Sequence, residues 1–173
     1  ARLFIFKKMK KLYVVGNRTS KSLSPTIFNY WFKKYNIKAS YGYLELTEKN
    51  FHKKINEVLK RKDTLGLNVT IPFKNKIIKH LGKIDAHAKK IGAVNCVTNK
   101  KTINGTNTDW TGYYKTLPNI KKTKNRKVII LGYGGASHAI HYVLKKRGFK
   151  DILIFNRSKK KIKYSNKTQY TKT

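Results

Sequence analysis

The sequence predicts an α/β protein with a mostly parallel sheet, followed by a second unit that opens with a strand, a helix and another strand. Two observations support this fold class. Apolar runs of strand length alternate along the chain with segments whose apolar residues recur at helical spacing. A basic, polar stretch, IKKTKNRK (120–127), then separates this part from a fresh strand–helix–strand pattern. The 173 residues suffice for one sizeable domain or two small ones.

The first elements begin with a buried strand over 11–17, which ends at a glycine turn. Ser24-Pro25 is typical of a helix start, with serine as the N-cap and proline at the first helical position. The apolar residues that follow predict an amphipathic helix: Ile27, Phe28, Trp31, Phe32 and Tyr35. A second strand is predicted over 39–46 and a second helix over 51–61.

A third strand is predicted over 65–71, where Pro72 ends it. Helices are expected over 74–81 and around 85–92. The next segments, AVNCVTN and KTINGTN, predict two strands joined by a tight turn at Asn99-Lys100. Asp109 opens a further helix that ends near Pro118.

The net charge of this chain is extreme, because 41 Lys and Arg residues face 7 Asp and Glu residues, for a formal +34. One interpretation is nucleic-acid binding through phosphate contacts. The basic residues are spread along the whole chain, however, and no nucleic-acid-binding motif is present, so an AT-rich coding bias is the preferred interpretation and no specific nucleic-acid partner is predicted. Self-repulsion predicts a salt-sensitive fold with an affinity for anions.

A membrane span, an internal disulfide and a cysteine-rich metal site are all disfavoured. No apolar run approaches the roughly 18 residues that span a bilayer, so no membrane partner is predicted. The single cysteine, Cys96, excludes an internal disulfide and a cysteine-rich metal site, and we interpret it as a small buried hydrophobe. A cytoplasmic location is the default expectation, and no metal is predicted. Met9, directly before the first strand, is interpreted as the natural start, with residues 1–8 as upstream sequence.

A glycine-rich turn, LGYGGAS (131–137), follows an apolar strand and opens a helix. Gly132 suits the tight turn, and Gly134 lets the backbone approach a pyrophosphate, as in a dinucleotide-binding Rossmann unit. Ala136 and Ser137 occupy the place of the third glycine, where a small residue still allows close packing of helix and strand. The alternative is an ordinary turn that binds no ligand.

The end of the second strand of this unit favours NADP over NAD. An NAD-binding unit usually carries a carboxylate there, whereas this chain has Asn156-Arg157-Ser158 followed by three lysines. Arg157 can bind a 2′-phosphate with its planar fork of donors, and Ser158 can add a hydroxyl.

Lys74 and Asp109 are candidates for acid–base chemistry. Lys74 follows Pro72 at a strand-to-helix junction, and Asp109 lies between a strand and a helix. A lysine and a carboxylate that meet at the ends of a sheet can relay a proton to a ketone or from an alcohol. Asp109 as a simple helix cap is the alternative.

From Lys11 to Lys161 the chain resembles the shikimate dehydrogenase family. The matching pieces occur in the order and at about the spacing of the family: VVGN with SKSLSP, GLNVTIPFK, IGAVNCV, GTNTDWTG, LGYGGAS and FNRS. Several motifs in one order are far more specific than any one of them.

The resemblance implies NADPH-dependent, reversible reduction of 3-dehydroshikimate to shikimate, a step towards the aromatic amino acids. It implies that Ser22 and Ser24 hold the substrate carboxylate and that Thr70 and Asn95 touch its other polar groups. Lys74 corresponds to the catalytic lysine and Asp109 to its partner, and both are expected to contact substrate. The expected cofactor-binding residues are Gly132, Gly134, Gly135, Ala136, Ser137, Asn156, Arg157, Ser158 and Lys161.

The expected organisation is a three-layer substrate-binding and catalytic domain over 9–109, a connecting helix and linker over 110–126, and the first half of a Rossmann NADP-binding domain over 127–173. The family continues for about another hundred residues, a domain-scale segment. We therefore expect a C-terminally truncated member, with residues 162–173 read in a shifted frame. Because half a Rossmann sheet leaves an open edge, turnover by this chain is in question. A monomer or a homodimer is expected.

Two departures from the family pattern bear on the site. Arg18 and Lys21 stand where the family usually has proline and histidine, and His138 and Lys161 replace two arginines near the nucleotide. The alternative functions are a quinate/shikimate dehydrogenase of broader specificity and a basic nucleic-acid-binding module.

Overall fold

The computed structural model describes residues 8–118 and 126–156 and the backbone of 170–171, and it contains two sheets. The first sheet has the strand order β2-β1-β3-β5-β6-β4, and the second has the order β7-β8-β9. The strands are β1 Lys10–Gly16, β2 Ala39–Glu45, β3 Thr64–Val69, β4 Lys83–Ile84, β5 Cys96–Asn99, β6 Ile103–Thr106, β7 Lys127–Leu131, β8 Asp151–Phe155 and β9 Tyr170–Thr171. The helices are α1 Ser24–Lys34, α2 Phe51–Lys60, α3 Ala86–Ile91, α4 Asp109–Thr116 and α5 Gly135–Lys146, with a 3-10 helix over Lys76–His80.

The predicted α/β class with a mostly parallel sheet is confirmed. In the first sheet β1 runs parallel to both β2 and β3, and β4 runs parallel to β6, whereas β5 runs antiparallel to β3 and β6. The predicted hairpin is therefore β5–β6, although its connection is three residues long (100–102) rather than a two-residue turn. The segment expected to be helical over 74–81 forms only the 3-10 helix. The two-residue strand β4 was not predicted, because it is too short to show a pattern.

The main core lies on the face of the first sheet that α2 and the 3-10 helix cover. Phe51 of α2 stacks on Phe73, with ring centroids 4.2 Å apart, and both side chains are fully buried. The other buried members of this cluster are Val15, Leu46, Ile55, Val58, Leu59, Leu67, Val69, Ile77, Ala88, Val94 and Val97. Because Phe73 precedes Lys74, this core anchors the segment that carries the candidate lysine.

The opposite face of the same sheet is only partly covered by α1. Phe28 stacks on Tyr41 at 4.7 Å, but Ile27, Trp31 and Tyr35, which the helical pattern placed on the apolar face, are exposed; Trp31 is 45% exposed. Beside α1 the sheet presents a shallow apolar groove over β3 and β5, which no described residue fills. The predicted helix α1 is confirmed, but part of its apolar face is not covered by any residue in the described part of the chain.

Two smaller predictions in this region are wrong. Cys96 lines the same groove and is half-buried rather than fully buried, because β5 turns this side chain towards the uncovered face. Ser24 is the first helical residue of α1 rather than its N-cap; Leu23 occupies the cap position and no side chain caps the helix. The backbone N–H of Ser24 instead donates to the hydroxyl of Ser22 at 3.2 Å.

The second unit has the predicted strand–helix–strand order, with β7 and β8 parallel and α5 between them in sequence. Its core consists of Ile130, Tyr133, Leu144, Phe149, Ile152 and Ile154. The short strand β9 pairs with β8 and adds a third parallel strand. Aromatic contacts join the units, since His87 of α3 stacks on Trp110 at 4.3 Å and its Nδ1 lies 2.7 Å from the hydroxyl of Tyr142. No helix in the described ranges is long and apolar enough to cross a membrane.

His141 makes the stability of the second unit pH-dependent. Its side chain is 1% exposed, and its Nδ1 lies 3.0 Å from the hydroxyl of Tyr133. Burial lowers the pKa of His141 to about 4, with smaller contributions from Lys145 and His138. Between pH 6.5 and about 4 the unfolded chain binds this proton and the folded chain does not, so stability falls as the pH is lowered through this window. The loss from this one group should reach about 3 kcal/mol.

Urea unfolding at a series of pH values measures this loss. In the His141→Gln variant, whose amide can still meet the Tyr133 hydroxyl, the fall in unfolding free energy over this window should shrink by that amount. An unchanged pH profile in the variant would show that other groups control acid stability.

Candidate functional site

The two candidate acid–base residues meet in the structure. The Nζ atom of Lys74 lies 2.8 Å from Oδ2 of Asp109, although 35 residues separate them in the chain. The side chain of Lys74 is 13% exposed and that of Asp109 is 30% exposed, so water screens this ion pair less than it screens a surface pair. The sequence predicted both residues individually, but only the fold brings them together.

The backbone around Lys74 is held on both sides. Its carbonyl accepts a hydrogen bond from the N–H of Val94 at 2.7 Å, and the N–H of Phe73 donates to the carbonyl of Thr70 at 3.0 Å. The N–H of Thr70 in turn donates to the carbonyl of Val15 in β1 at 2.8 Å. The peptide bond between Ile71 and Pro72 is cis. These hydrogen bonds fix the backbone of Lys74 at the end of the sheet, from which its side chain extends.

Asp109 is oriented by asparagines rather than acting as a helix cap. The side chain of Asn95 donates to Oδ1 of Asp109 at 2.7 Å, which leaves Oδ2 for Lys74. The buried Asn107 accepts hydrogen bonds from the N–H groups of Asp109 and Trp110 at 3.0 and 3.4 Å. Asn107 was missed by the sequence analysis, although an asparagine two residues before a helical aspartate is a recognisable turn signal.

A cavity of about 570 Å³ opens beside this pair at the ends of β1 and β3. All the predicted substrate residues except Asp109 line it: Ser22, Ser24, Thr70, Lys74 and Asn95. Asp109 does not line the cavity, but it contacts two residues that do, Lys74 and Asn95. Uncharged hydrogen-bonding side chains, together with the basic Arg18, Lys21 and Lys74, therefore surround a space large enough for a small polar molecule.

Asn68 is a further lining residue that was not predicted. The hydroxyl of Tyr41 donates to its Oδ1 at 2.7 Å, so the amide nitrogen is left to face outward as a donor. Leu67 and Val69 on either side belong to the core, so strand alternation alone places Asn68 on the cavity side of β3.

A second cavity, of about 340 Å³, lies between the two units. It is lined by Ile71, Pro72, Lys74 and Asn75 from the first unit and by Tyr133, Gly134, Gly135 and His138 from the second. Lys74 borders both cavities. Molecules bound in the two cavities would consequently both lie beside this lysine.

The glycine turn forms one wall of the second cavity. Gly132 has a φ of 85°, in the left-handed region that favours glycine. Gly134 is the N-cap of α5, no side chain caps this helix, and a Cβ at Gly134 would meet nothing within 4 Å. The free N–H groups and the open space fit a phosphate group.

The other predicted cofactor residues are only partly placed. Ala136 and Ser137 lie in the first turn of α5. The side chain of Asn156 accepts a hydrogen bond from the N–H of Tyr133 at 3.0 Å, which ties the end of β8 to the glycine turn. Arg157, Ser158 and Lys161 lie outside the described residues.

Gly135 contacts the candidate lysine directly. A Cβ at this position would lie 3.0 Å from Cδ and 3.1 Å from Cβ of Lys74, closer than side chains normally pack. We expect Gly135→Ala to shift Lys74 by a few tenths of an ångström and to lower kcat about tenfold, because catalytic positions tolerate little displacement. Steady-state kinetics of the reaction that the family resemblance implies would measure this effect.

Two matched glycine variants serve as controls. Gly134→Ala meets no protein atom, so it should raise the KM for the nucleotide with little effect on kcat. Gly112→Ala, which also has open space around it, should change neither parameter. If Gly135→Ala raised only the nucleotide KM, its contact with Lys74 would have no catalytic consequence.

Fold and site together define a class of protein: an α/β protein in which a polar cavity with a lysine–carboxylate pair adjoins a Rossmann-type nucleotide unit. Residues 14–97 match the family model of the shikimate dehydrogenase substrate binding domain. The first unit is thus similar to the substrate-binding domain of shikimate dehydrogenases.

Similar proteins agree with this relationship. The shikimate dehydrogenase (NADP(+)) of Aquifex aeolicus is 40% identical over 151 residues, which are 86% of this chain and 55% of that protein. Shikimate dehydrogenase 1 of Peptoclostridium difficile superposes with a TM-score of 0.81 at 31% identity, over 94% of this chain and 61% of that one. The Thermus thermophilus enzyme, solved in complex with NADP(H) and shikimate, gives a TM-score of 0.71 at 27% identity, over 87% and 57%. The chain thus spans about half the length of the curated relatives it matches.

Proposed function

We propose that this chain provides the substrate and acid–base site of an NADP-dependent shikimate dehydrogenase, which reduces 3-dehydroshikimate to shikimate reversibly in the route to the aromatic amino acids. One observation carries the proposal: Lys74, paired with Asp109 at 2.8 Å, borders both the polar cavity and the cavity beside the glycine turn. The relatives named shikimate dehydrogenase (NADP(+)), and the relative solved with NADP(H) and shikimate, support the substrate and the cofactor.

The larger cavity would hold the substrate. Ser22 and Ser24 lie on one side of it, where their hydroxyls can donate to a carboxylate. Thr70 and Asn95 also line this cavity, and Asn95 is linked to Lys74 through Asp109. Their side chains can form hydrogen bonds with the hydroxyl groups of a polyol ring. NADP, when bound in its reduced form, supplies the hydride that reaches the carbonyl carbon.

Lys74 would donate the proton in the reduction and accept it in the reverse reaction. As the carbonyl oxygen gains negative charge, the Nζ ammonium stabilises it and donates one proton, so the products are an alcohol and a neutral amine. Asp109 holds the Nζ group in position through the 2.8 Å contact, and the amine regains its proton from solvent. In the reverse direction the neutral amine accepts the hydroxyl proton. Asn95 donates a hydrogen bond to Oδ1 of Asp109, which orients the carboxylate so that Oδ2 faces Lys74.

The nucleotide would lie along the glycine turn. We propose Gly132, Gly134, Gly135, Ala136, Ser137, Asn156, Arg157, Ser158 and Lys161 as its binding residues. The open space at Gly134 and the uncapped start of α5 support a phosphate there. The substrate-binding domain over 9–109, the connection over 110–126 and the partial NADP-binding domain over 127–173 are part of the same proposal. A cytoplasmic location and a monomeric or homodimeric state stay predictions.

Ligand titrations of this chain, followed by amide NMR, test the proposal. We expect shikimate to shift the resonances of residues around the larger cavity and NADP to shift those of the glycine turn, with NADP binding more tightly than NAD. The formation of NADPH from NADP and shikimate, followed by absorbance, tests turnover. Quinate binding as tight as shikimate binding would favour the broader quinate/shikimate alternative.

Binding of duplex DNA tests the alternative that this chain is a basic nucleic-acid-binding module. We expect its binding to vanish at moderate salt, because it would depend on charge alone. DNA binding that survives moderate salt, with no shift from shikimate or NADP, would overturn the proposed function.

A further inference from the structure

A turn that lines the larger cavity presents Lys21 from a fixed position. Lys21 is the third residue of this turn, in which the N–H of Ser22 donates to the carbonyl of Thr19 at 2.8 Å. The N–H of Ser20 donates to the carboxylate of Glu45 at 3.1 Å, which ties the turn to the end of β2. The lysine backbone is therefore held although its side chain is exposed.

The charges around this cavity are unbalanced. Arg18, Lys21 and Lys74 line it, and no carboxylate does. The positive charge of Lys74 is matched by Asp109. Glu45 offsets part of the charge of Arg18; the pKa of Glu45 is lowered mainly by hydrogen bonds from Ser20, then by one from Thr19, and least by this arginine. Lys21 makes no ion pair and no side-chain hydrogen bond with any described residue, so its charge is available to a ligand.

The same side of the cavity holds a hydroxyl without a partner. Thr19 lines the cavity and is 1% exposed, and its Oγ1 has no hydrogen-bond partner among the described residues. Ser22 accepts a hydrogen bond from the N–H of Ser24 at 3.2 Å, which leaves its own hydroxyl proton free to donate. A buried polar atom without a partner is costly unless a ligand or water satisfies it. This side of the cavity thus combines free hydroxyl donors with one free ammonium.

We propose that Lys21 is a specificity-determining residue, which forms an ion pair with the carboxylate of the substrate beside the hydroxyls of Ser22 and Ser24. The inference rests on the proposed function, because it assigns the carboxylate end of that substrate. Hydroxyl groups alone bind a carboxylate and a neutral ester with a modest difference in affinity. An added ammonium group increases that difference strongly in favour of the carboxylate. The site should therefore select its ligand by charge, and more so at low salt.

Calorimetric titration of this chain with shikimate and with its uncharged methyl ester tests the proposal at two salt concentrations. We expect Lys21→Gln to weaken the binding of shikimate about tenfold at low salt, the order expected for one partly screened ion pair, and to leave the ester unchanged. Lys21→Arg, which keeps the charge, should retain the preference for the acid. The matched control Lys49→Gln removes an exposed lysine that lies outside the cavity and should leave both affinities unchanged.

Each remaining outcome has a defined meaning. An acid-to-ester ratio that is the same in Lys21→Gln and the unmodified chain would overturn the role of Lys21 while leaving the proposed function in place. Equal losses for acid and ester would also overturn it, because they indicate a damaged cavity rather than a lost ion pair. If the unmodified chain binds neither compound, both the proposed function and this inference are refuted.

Discussion

Lys74→Ala is expected to lower kcat for shikimate oxidation by about 10²- to 10⁴-fold, the range that a positioned acid–base group contributes. The variant removes the ammonium that lies 2.8 Å from Asp109 and borders both cavities. Its effect on the KM for shikimate should be smaller, because hydroxyl and amide side chains still line the cavity. Steady-state rates of NADPH formation measure both parameters.

Two further variants separate the proton relay from the ion pair. Lys74→Arg keeps a positive charge near Asp109 but cannot release a proton at neutral pH, so it should be nearly as slow as Lys74→Ala. Lys76→Ala removes a lysine two residues away, whose side chain pairs with Glu48 instead, and should keep normal activity. An active Lys74→Arg variant would show that the charge matters and the proton transfer does not.

Phe73→Ala should cause the largest loss of stability, about 3–5 kcal/mol in unfolding free energy, because it leaves a cavity in the main core. Phe73 is fully buried and stacks on Phe51 at 4.2 Å. Since Phe73 directly precedes Lys74, the loss of this anchor should also reduce activity at temperatures where the variant is still folded. Urea unfolding followed by circular dichroism measures the free energy.

Ile71→Ala is the matched control for this prediction. Ile71 belongs to the same segment but is 62% exposed, so its truncation should change the unfolding free energy by less than about 0.5 kcal/mol. Similar losses in the two variants would mean that the Phe51–Phe73 stack contributes little.

Local patterns predicted most of the regular structure. Alternating strands and helices gave the α/β class, and the glycine turn between a strand and a helix was found where LGYGGAS places it. Among the predicted residues that line the larger cavity, Lys74 was predicted from its place at the end of a strand, and Ser22, Ser24, Thr70 and Asn95 from the resemblance to the family. Asn68 could have been found from strand alternation, since it lies between the core residues Leu67 and Val69.

Contacts between distant segments could not be predicted from local patterns. Periodicity identifies the apolar face of α1 but not whether another element covers it, and Trp31 is exposed for that reason. The burial of Cys96 was overestimated because the same face of the sheet is open. The approach of Gly135 to Lys74 depends on how the second unit packs against the first, which no motif encodes.

The claim that one lysine serves both cavities can be tested directly by lysine acetylation mapped by mass spectrometry. Shikimate alone and NADP alone should each slow the acetylation of Lys74, and the two together should slow it most. Lys49, which borders neither cavity, reports any general effect of the ligands. Protection of Lys74 by only one of the two ligands, or by neither, would contradict a shared site at this residue.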